Sequence, residues 1–239
     1  MISFIIPTKN EGTVLDKTLG NIAKYSGEKE IIISDGRSSD NTIEIAKKYT
    51  DKIVVFNGEG RQTIANARNE GAKAAKGDFL VFFDADVLVF DPNIFFKRLL
   101  SNFEKDKRLI GATVAIRVLK DKERFLDKMI FSFSDLSYTF LNNMIHFGGA
   151  SGEFQFIRAE AFRKIGGFNE KLPVSEDQDM FIRLSKIGRT YFDGKLTVYH
   201  TGRRAHKIGW AKLLYQWLTN YFSVVFFNRS AQDEWKEIR

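Results

Sequence analysis

The sequence predicts an α/β protein with a mostly parallel central sheet and flanking helices, followed by an amphipathic helical segment at the C-terminal end. Three observations predict it. Short apolar runs alternate with amphipathic helical patterns through the first half. Three of those runs are followed directly by polar loops. After about residue 118 the alternation gives way to long apolar stripes at helical spacing. With 239 residues, 44% of them hydrophobic and only 3 prolines, the chain is long and apolar enough to form a substantial core.

Taken in order, strands are expected at 2–7, 30–34, 52–56 and 79–83. Residues 13–25 and 42–49 carry helical patterns between them. An Ala-rich helix is expected over 61–76, with Gly77 as a left-handed C-cap. Asp91-Pro92 opens another helix, with Asp as N-cap and Pro at the first helical position. The division expected is one domain over 1–205, in two halves, 1–118 and 119–205. An amphipathic segment, 206–239, follows. Ser3-Phe4-Ile5-Ile6-Pro7 reads as a first core strand rather than a secretory leader.

The chain has no cysteine, which excludes disulfides and thiolate metal sites and agrees with a reducing cytoplasm. A formal net charge of +7 suits an anionic partner such as a nucleotide or a phospholipid surface. Nucleic acid is not expected, because nothing beyond basicity supports it.

In sheets of this kind, ligands bind beyond the carboxyl ends of the strands. Thr8-Lys9-Asn10-Glu11, Asp35-Gly36-Arg37-Ser38-Ser39-Asp40 and Asp84-Ala85-Asp86 all fall there. Asp84 and Asp86 lie two residues apart behind a strand, so both carboxylates can project to one side and share a hard divalent cation. Asp35 can accept hydrogen bonds from a base or ribose, while Ser39 or Asp40 can cap the following helix.

Ile5-Ile6-Pro7-Thr8-Lys9-Asn10-Glu11, Ser34-Asp35-Gly36-Arg37-Ser38-Ser39-Asp40-Asn41-Thr42, Ala67-Arg68-Asn69-Glu70-Gly71 and Phe83-Asp84-Ala85-Asp86 occur in the order and spacing of family-2 glycosyltransferases. The chain resembles that family from residue 1 to about 200, which implies the GT-A fold and a catalytic domain whose nucleotide-binding half is 1–118 and whose acceptor-binding half is 119–205. The resemblance implies that Pro7, Thr8 and Glu11 form the first nucleotide-contacting loop and that Asp35 contacts the base. It places Asp84 and Asp86 at the ribose and the metal-bound diphosphate, with Asp86 as the direct ligand of Mg²⁺ or Mn²⁺. Arg68 matches a position near the sugar-nucleotide; a helix-surface ion pair with Glu70 or Asp78 is the alternative. Many relatives carry a second acid where this chain has Gly36, which leaves UDP- and GDP-sugars both open as donors.

Further along, Gly148-Gly149-Ala150-Ser151-Gly152-Glu153 resembles the family's acceptor loop, and Gly166-Gly167-Phe168 a turn after a short helix. Ser175-Glu176-Asp177-Gln178-Asp179 opens a helix with Ser175 as N-cap, and acids in a first turn are ordinary partners of the helix dipole. The resemblance adds a role: Glu176-Asp177 matches the family's Glu-Asp pair, with Asp177 as general base and Asp179 as the fallback. His200, at a strand end, is either a satisfied polar residue or, as in several GT-A branches, a metal ligand. Arg203, Arg204 and Lys207 beside it can stabilise a leaving diphosphate or attract anionic lipid.

Two apolar stripes remain, over 122–146 and 210–225. The uncharged stretch 213–228 is too short and polar to span a bilayer. The stripes suit a helix lying in the headgroup layer of a cytoplasmic membrane face, within reach of a lipid-linked acceptor such as a polyprenyl phosphate. Burial in a homodimer is the competing reading. The expected function is metal-dependent, inverting transfer of a sugar from a nucleotide diphosphate to an acceptor hydroxyl or lipid phosphate. Nucleotidyl transfer and a non-catalytic nucleotide-sugar or lipid-binding module are the alternatives. Processive polymer synthesis is not expected, because Gln216-Trp217 does not complete that branch's Gln-x-x-Arg-Trp motif.

Overall fold

A computed structural model describes residues 1–227 and 229–232. Eight strands form one sheet in the order β3-β2-β1-β4-β7-β6-β8-β5. They are β1 (Ile2–Thr8), β2 (Lys29–Asp35), β3 (Ile53–Val55), β4 (Phe79–Phe83), β5 (Leu88–Val89), β6 (Leu109–Val118), β7 (Phe154–Arg158) and β8 (Arg189–His200). The parallel expectation holds for β1 to β4. β7 enters antiparallel to both β4 and β6, and β5 antiparallel to β8, which makes the whole sheet mixed. Two successive antiparallel pairings restore the original direction, so β6 and β8 run with β4 and end at the same edge. That edge therefore collects Thr8, Asp35, Asp84 and His200, while β7 starts there and brings the loop 148–153 alongside.

Strict alternation of side chains puts apolar residues on both faces of the central strands. Phe4, Ile6, Ile31, Ile33, Val81 and Phe83 face one core together with α1 (Leu15–Ala23) and α4 (Pro92–Lys105). Ile5, Ile32, Leu80 and Phe82 face the other with α3 (Ile64–Lys73), α6 (Ala159–Lys164) and α7 (Glu176–Ser185). A sheet covered on both sides leaves only its edges for chemistry.

The helices are shorter than their sequence patterns. α2 covers only Thr42–Ala46. Asp40, not Ser39, does the capping there: its Oδ1 accepts from the Thr42 amide at 3.0 Å. α3 begins behind Thr63, whose hydroxyl accepts from the Asn66 amide at 3.1 Å. Gly77 is not a left-handed C-cap, since it is absent from the positive-φ positions and α3 ends four residues earlier. Its need for glycine is steric. A Cβ there would stand 2.5 Å from Ser3 Oγ and 2.9 Å from the Met1 carbonyl oxygen. The Asp91 cap is as expected: Oδ1 accepts from the Asn93 and Ile94 amides at 2.9 and 3.1 Å.

The 122–146 stripe forms α5 (Phe125–Tyr138), which runs into a π-helical turn, Thr139–Met144. Asn142 in that turn is fully buried and clamps the next loop, donating to the Gly149 carbonyl at 2.8 Å and accepting from its amide at 3.2 Å. α8 (Arg203–Ile208) and α9 (Trp210–Phe227) follow β8. Fully buried Asp127 ties them to α5, accepting from Arg124 N, His206 Nε2 and Trp210 Nε1 at 2.7, 2.8 and 2.6 Å. Burial pushes the Asp127 pKa up, but those three partners outweigh it and hold the group below the usual carboxylate range.

Trp210 and Leu213 anchor α9 in the core, while Tyr215, Leu218, Phe222, Phe226 and Phe227 stay exposed. α5 and its π-turn likewise expose Phe125, Met129, Phe133, Leu136, Phe140 and Met144. Among the described residues no helix is long and apolar enough to cross a membrane. Residues 228 and 233–239 of the expected C-terminal segment lie outside the described residues.

Candidate active site

One cavity of about 820 Å³ opens at the carboxyl edge of the sheet. Pro7, Thr8, Glu11, Arg68, Asp84, Asp86, Glu176, Asp177, His200, Arg203 and Arg204 all line it. Residues up to 197 positions apart in the chain thus share one space.

Asp35 is the exception. It is fully buried beneath the cavity and accepts from Thr8 Oγ1, Ser38 N and Ser38 Oγ at 2.8, 2.7 and 2.6 Å. Its carboxylate braces two loops and does not reach the cavity wall. Lys9 strengthens the same brace by donating to the Gly36 and Arg37 carbonyls at 2.8 and 2.6 Å. Positive φ at Asn10 and Arg37 turns both loops toward the edge.

Glu11 and Arg203 form a bidentate pair at 2.7 and 2.8 Å, the geometry in which a guanidinium best holds a carboxylate. Arg203 Nε also lies 3.6 Å from Asp86 Oδ2. Asp86 accepts from the Thr201 hydroxyl and from its amide. The neighbouring His200 presses its ring edge-on against Phe131 at 5.4 Å, and its buried Nε2 has no hydrogen-bond partner among the described residues. A buried imidazole nitrogen without a partner could hold a divalent cation. Among the described residues no three His, Cys, Asp or Glu form a ready-made cage, so oxygens of a diphosphate would have to complete the shell.

Arg68 organises the centre. It is only 2% exposed, whereas a surface pair with Glu70 or Asp78 was the sequence alternative. Glu70 instead takes Lys73, and Asp78 the N-terminal amine. Arg68 Nη1 donates to Glu176 Oε1 at 2.8 Å, and Nη2 to the Gly152 carbonyl at 2.7 Å and to Asp84 Oδ1 at 3.2 Å. Its guanidinium carbon also stands 5.3 Å from the Phe168 ring. One cation thereby spans the β4 end, the 148–153 loop and the start of α7.

Ser175 precedes α7 but is no side-chain cap. Its φ of 63° is left-handed, and its hydroxyl makes no capping bond. That strained turn points the first residues of α7 at the cavity. Asp179 is turned away and holds Arg183 at 2.7 Å, so Asp177 alone of the two faces the space. Burial pushes the Asp177 pKa up to about 8; Glu176 and Glu153 add to the rise, while Arg68 and the Gln178 amide oppose it. Burial likewise lifts Asp84 to about 7, with Arg68 pulling down and Glu153 and Asp86 pushing up. Carboxyls shifted this far, in a cleft, are candidates for proton transfer.

Sequence reasoning missed Tyr138 and the side chain of Glu153 as site residues. Both line the cavity, and Trp217 and Tyr221 of α9 close its side. Tyr138 was hidden in an apolar stripe, where it closes the last turn of α5.

The family model for Glycosyl transferase family 2 matches residues 3–166. Among curated relatives, β-monoglucosyldiacylglycerol synthase of Trichormus variabilis is 29% identical over 196 residues, 77% of this chain and 41% of that protein. Poly-β-1,6-N-acetyl-D-glucosamine synthase of Staphylococcus aureus is 35% identical over 133 residues, 54% of this chain and 31% of that one. The chain thus spans less than half the length of these relatives. Among solved structures, a mannosyltransferase from Pyrobaculum calidifontis in complex with GDP-Man and Mn²⁺ superposes with a TM-score of 0.68 at 18% identity, covering 94% of this chain and 63% of that one. S. aureus TarS in complex with UDP superposes at 0.63 with 16% identity, covering 98% and 67%. The mixed sheet, its flanking helices and the order of loops around the cavity are those of the GT-A fold, and the chain belongs to glycosyl transferase family 2.

Proposed function

We propose that the protein moves a sugar from a UDP- or GDP-linked donor to a hydroxyl or phosphate of an amphiphilic acceptor, with inversion at the anomeric carbon. The observation that carries this reading is Arg68. It binds Asp84 on the donor side and Glu176 on the base side, which holds two stations of one displacement in a single cavity. The Thr8–Glu11 and Gly36–Arg37 loops would hold the nucleotide, with Asp35 setting the position of Thr8 from below. Asp86 and His200 would hold Mg²⁺ or Mn²⁺, and the cation would neutralise charge on the leaving diphosphate. Arg203 and Arg204 line the same end and would add to that stabilisation.

Asp177 is the base. A carboxyl with a pKa near 8 retains a proton well, which suits it to take one from a hydroxyl of the acceptor. The exposed faces of α5 and α9 are proposed to rest on an anionic membrane surface at its cytoplasmic side. Lys120, Lys122, Arg124 and Lys128 border α5, Lys212 lies on α9, and Phe131, Leu213 and Trp217 carry the apolar surface into the cavity. The resemblance to a diacylglycerol-glycosylating synthase agrees with a lipid-borne acceptor.

The test is transfer and hydrolysis measured across a panel of nucleotide sugars with Mg²⁺, with Mn²⁺ and with chelator. Metal-dependent turnover of one or a few donors is expected. Turnover of none, or turnover indifferent to chelator, would sink the reading.

A further inference from the structure

The cavity is not uniform, and its acceptor end has a chemistry of its own. At Gly152 the loop backbone passes so close to the base that an added Cβ would lie 3.3 Å from Asp177 Oδ2 and 2.9 Å from Arg68 Nη2. The next residue, Glu153, also lines the cavity, and its carboxylate is close enough to act electrostatically on Asp177. Ser151 donates its hydroxyl to Glu153 Oε2. Tyr138, from the last turn of α5, lies beside Ser151 within the field of both acids. Burial, then Asp177 and Glu153, push its phenol pKa up, so the phenol keeps its proton. The single charge of Arg68 is already divided between Glu176 and Asp84.

We propose that this end selects an uncharged polyol, a sugar or glycerol hydroxyl, and that Glu153 is the residue that turns away a phosphate acceptor. The inference rests on the glycosyl-transfer reading and narrows its acceptor. The Glu153 carboxylate, the Asp177 carboxyl, a serine hydroxyl and a protonated phenol can donate to and accept from neighbouring hydroxyls of a polyol. A phosphate monoester carries up to two negative charges, and like charges in a partly desolvated site repel strongly.

The reaction balance points the same way. In transfer to a hydroxyl, the acceptor oxygen forms the new bond to the anomeric carbon as its proton passes to Asp177. The bond from that carbon to the diphosphate breaks, and its electron pair leaves on the nucleoside diphosphate. A phosphate acceptor at neutral pH is already ionised and needs no base. A buried carboxylate held for proton abstraction is useful only to the hydroxyl.

The experiment uses the full chain and matched pairs of acceptors in detergent. One pair is decyl glucoside against decyl phosphate, and the other is dioleoylglycerol against dioleoyl phosphatidic acid. The readout is the ratio of initial transfer rates within a pair, which cancels any general loss of activity. The hydroxyl member of at least one pair should be at least tenfold faster, and the pair that shows it separates a sugar from a glycerol acceptor. Glu153→Gln should shrink that ratio tenfold or more, with Ser151→Ala shifting it in the same direction. A wild-type protein that glycosylates the phosphate members as fast as the hydroxyl members overturns the inference alone. So does a ratio that neither folded variant moves, folding being checked by thermal unfolding. No turnover of any donor overturns the glycosyl-transfer reading beneath it as well.

Discussion

The two ends of the cavity are built in opposite ways. At the nucleotide end the polar groups satisfy one another: Asp35 takes Thr8 and Ser38, Lys9 takes two carbonyls, and Glu11 takes Arg203. Toward the acceptor end Glu153, Glu176 and Asp177 gather with the donor-side Asp84 near one buried arginine, and Asp84, Glu176 and Asp177 are all pushed up. The first arrangement is a rigid mould that costs little to fold. The second stores unfavourable charge where a reaction can use it, in line with the general trade of stability for function at active sites.

The largest effect expected at the acceptor end comes from Asp177→Asn. Transfer should fall by about 10²- to 10⁴-fold, the usual worth of a positioned base. Nucleotide binding, measured calorimetrically, should persist, and the melting temperature at pH 8 should rise because a buried charge is gone. Activity within a few fold of wild type would remove Asp177 as the base.

Arg68→Met should come next. Losing this cation leaves the buried Glu176 carboxylate uncompensated, a change that typically costs about 3–5 kcal/mol, while the half-exposed Asp84 can turn to water. Urea unfolding of the variant tests this, and near-wild-type stability would mean that the acids relax outward to water. Such an outcome would erase the contrast between the two ends.

The pH profile sharpens it further. A carboxyl raised to about 8 is mostly protonated below that pH, so log(kcat/KM) should fall with unit slope as pH drops below about 8. Stability runs the other way. Between the ordinary value of 3.8 and about 8 the folded chain binds a proton that the unfolded chain releases, so this group's contribution declines as pH rises through that window. Asp177→Asn should flatten that part of the stability curve; an unchanged curve would point to another group.

At the nucleotide end the smallest change is expected from Asp35→Asn. It weakens charge-assisted bonds from Thr8 and Ser38, a loss of about 1–3 kcal/mol in unfolding free energy. Catalysis should change far less than stability. A large loss of kcat with normal stability would instead place Asp35 on the nucleotide.

Much of the donor side was legible in the chain because its signals are local. A strand end, a polar loop and a capped helix occupy fewer than ten consecutive residues each, and Asp91-Pro92 needs only its immediate neighbours to cap α4. The Gly77 expectation failed because a glycine required for close approach to Ser3 looks, in one dimension, like a glycine required for a left-handed turn. A surface ion pair stood as the alternative for Arg68 because Glu70 and Asp78 are near it in sequence, while its actual partner Glu176 is 108 positions away. Tyr138 was unreadable as a site residue because apolar periodicity reports which residues share a face, not what that face packs against.

The sequence by itself determined the layered α/β plan, the acidic strand ends and the amphipathic helices, since hydrophobic period and turn chemistry act over a few residues. Only the tertiary structure decided that β7 enters antiparallel, that His200 and Asp177 reach the same edge as Asp84, and that Asp35 braces the wall instead of lining it. Those outcomes depend on strand order and on desolvation by distant segments, quantities that a linear pattern does not contain.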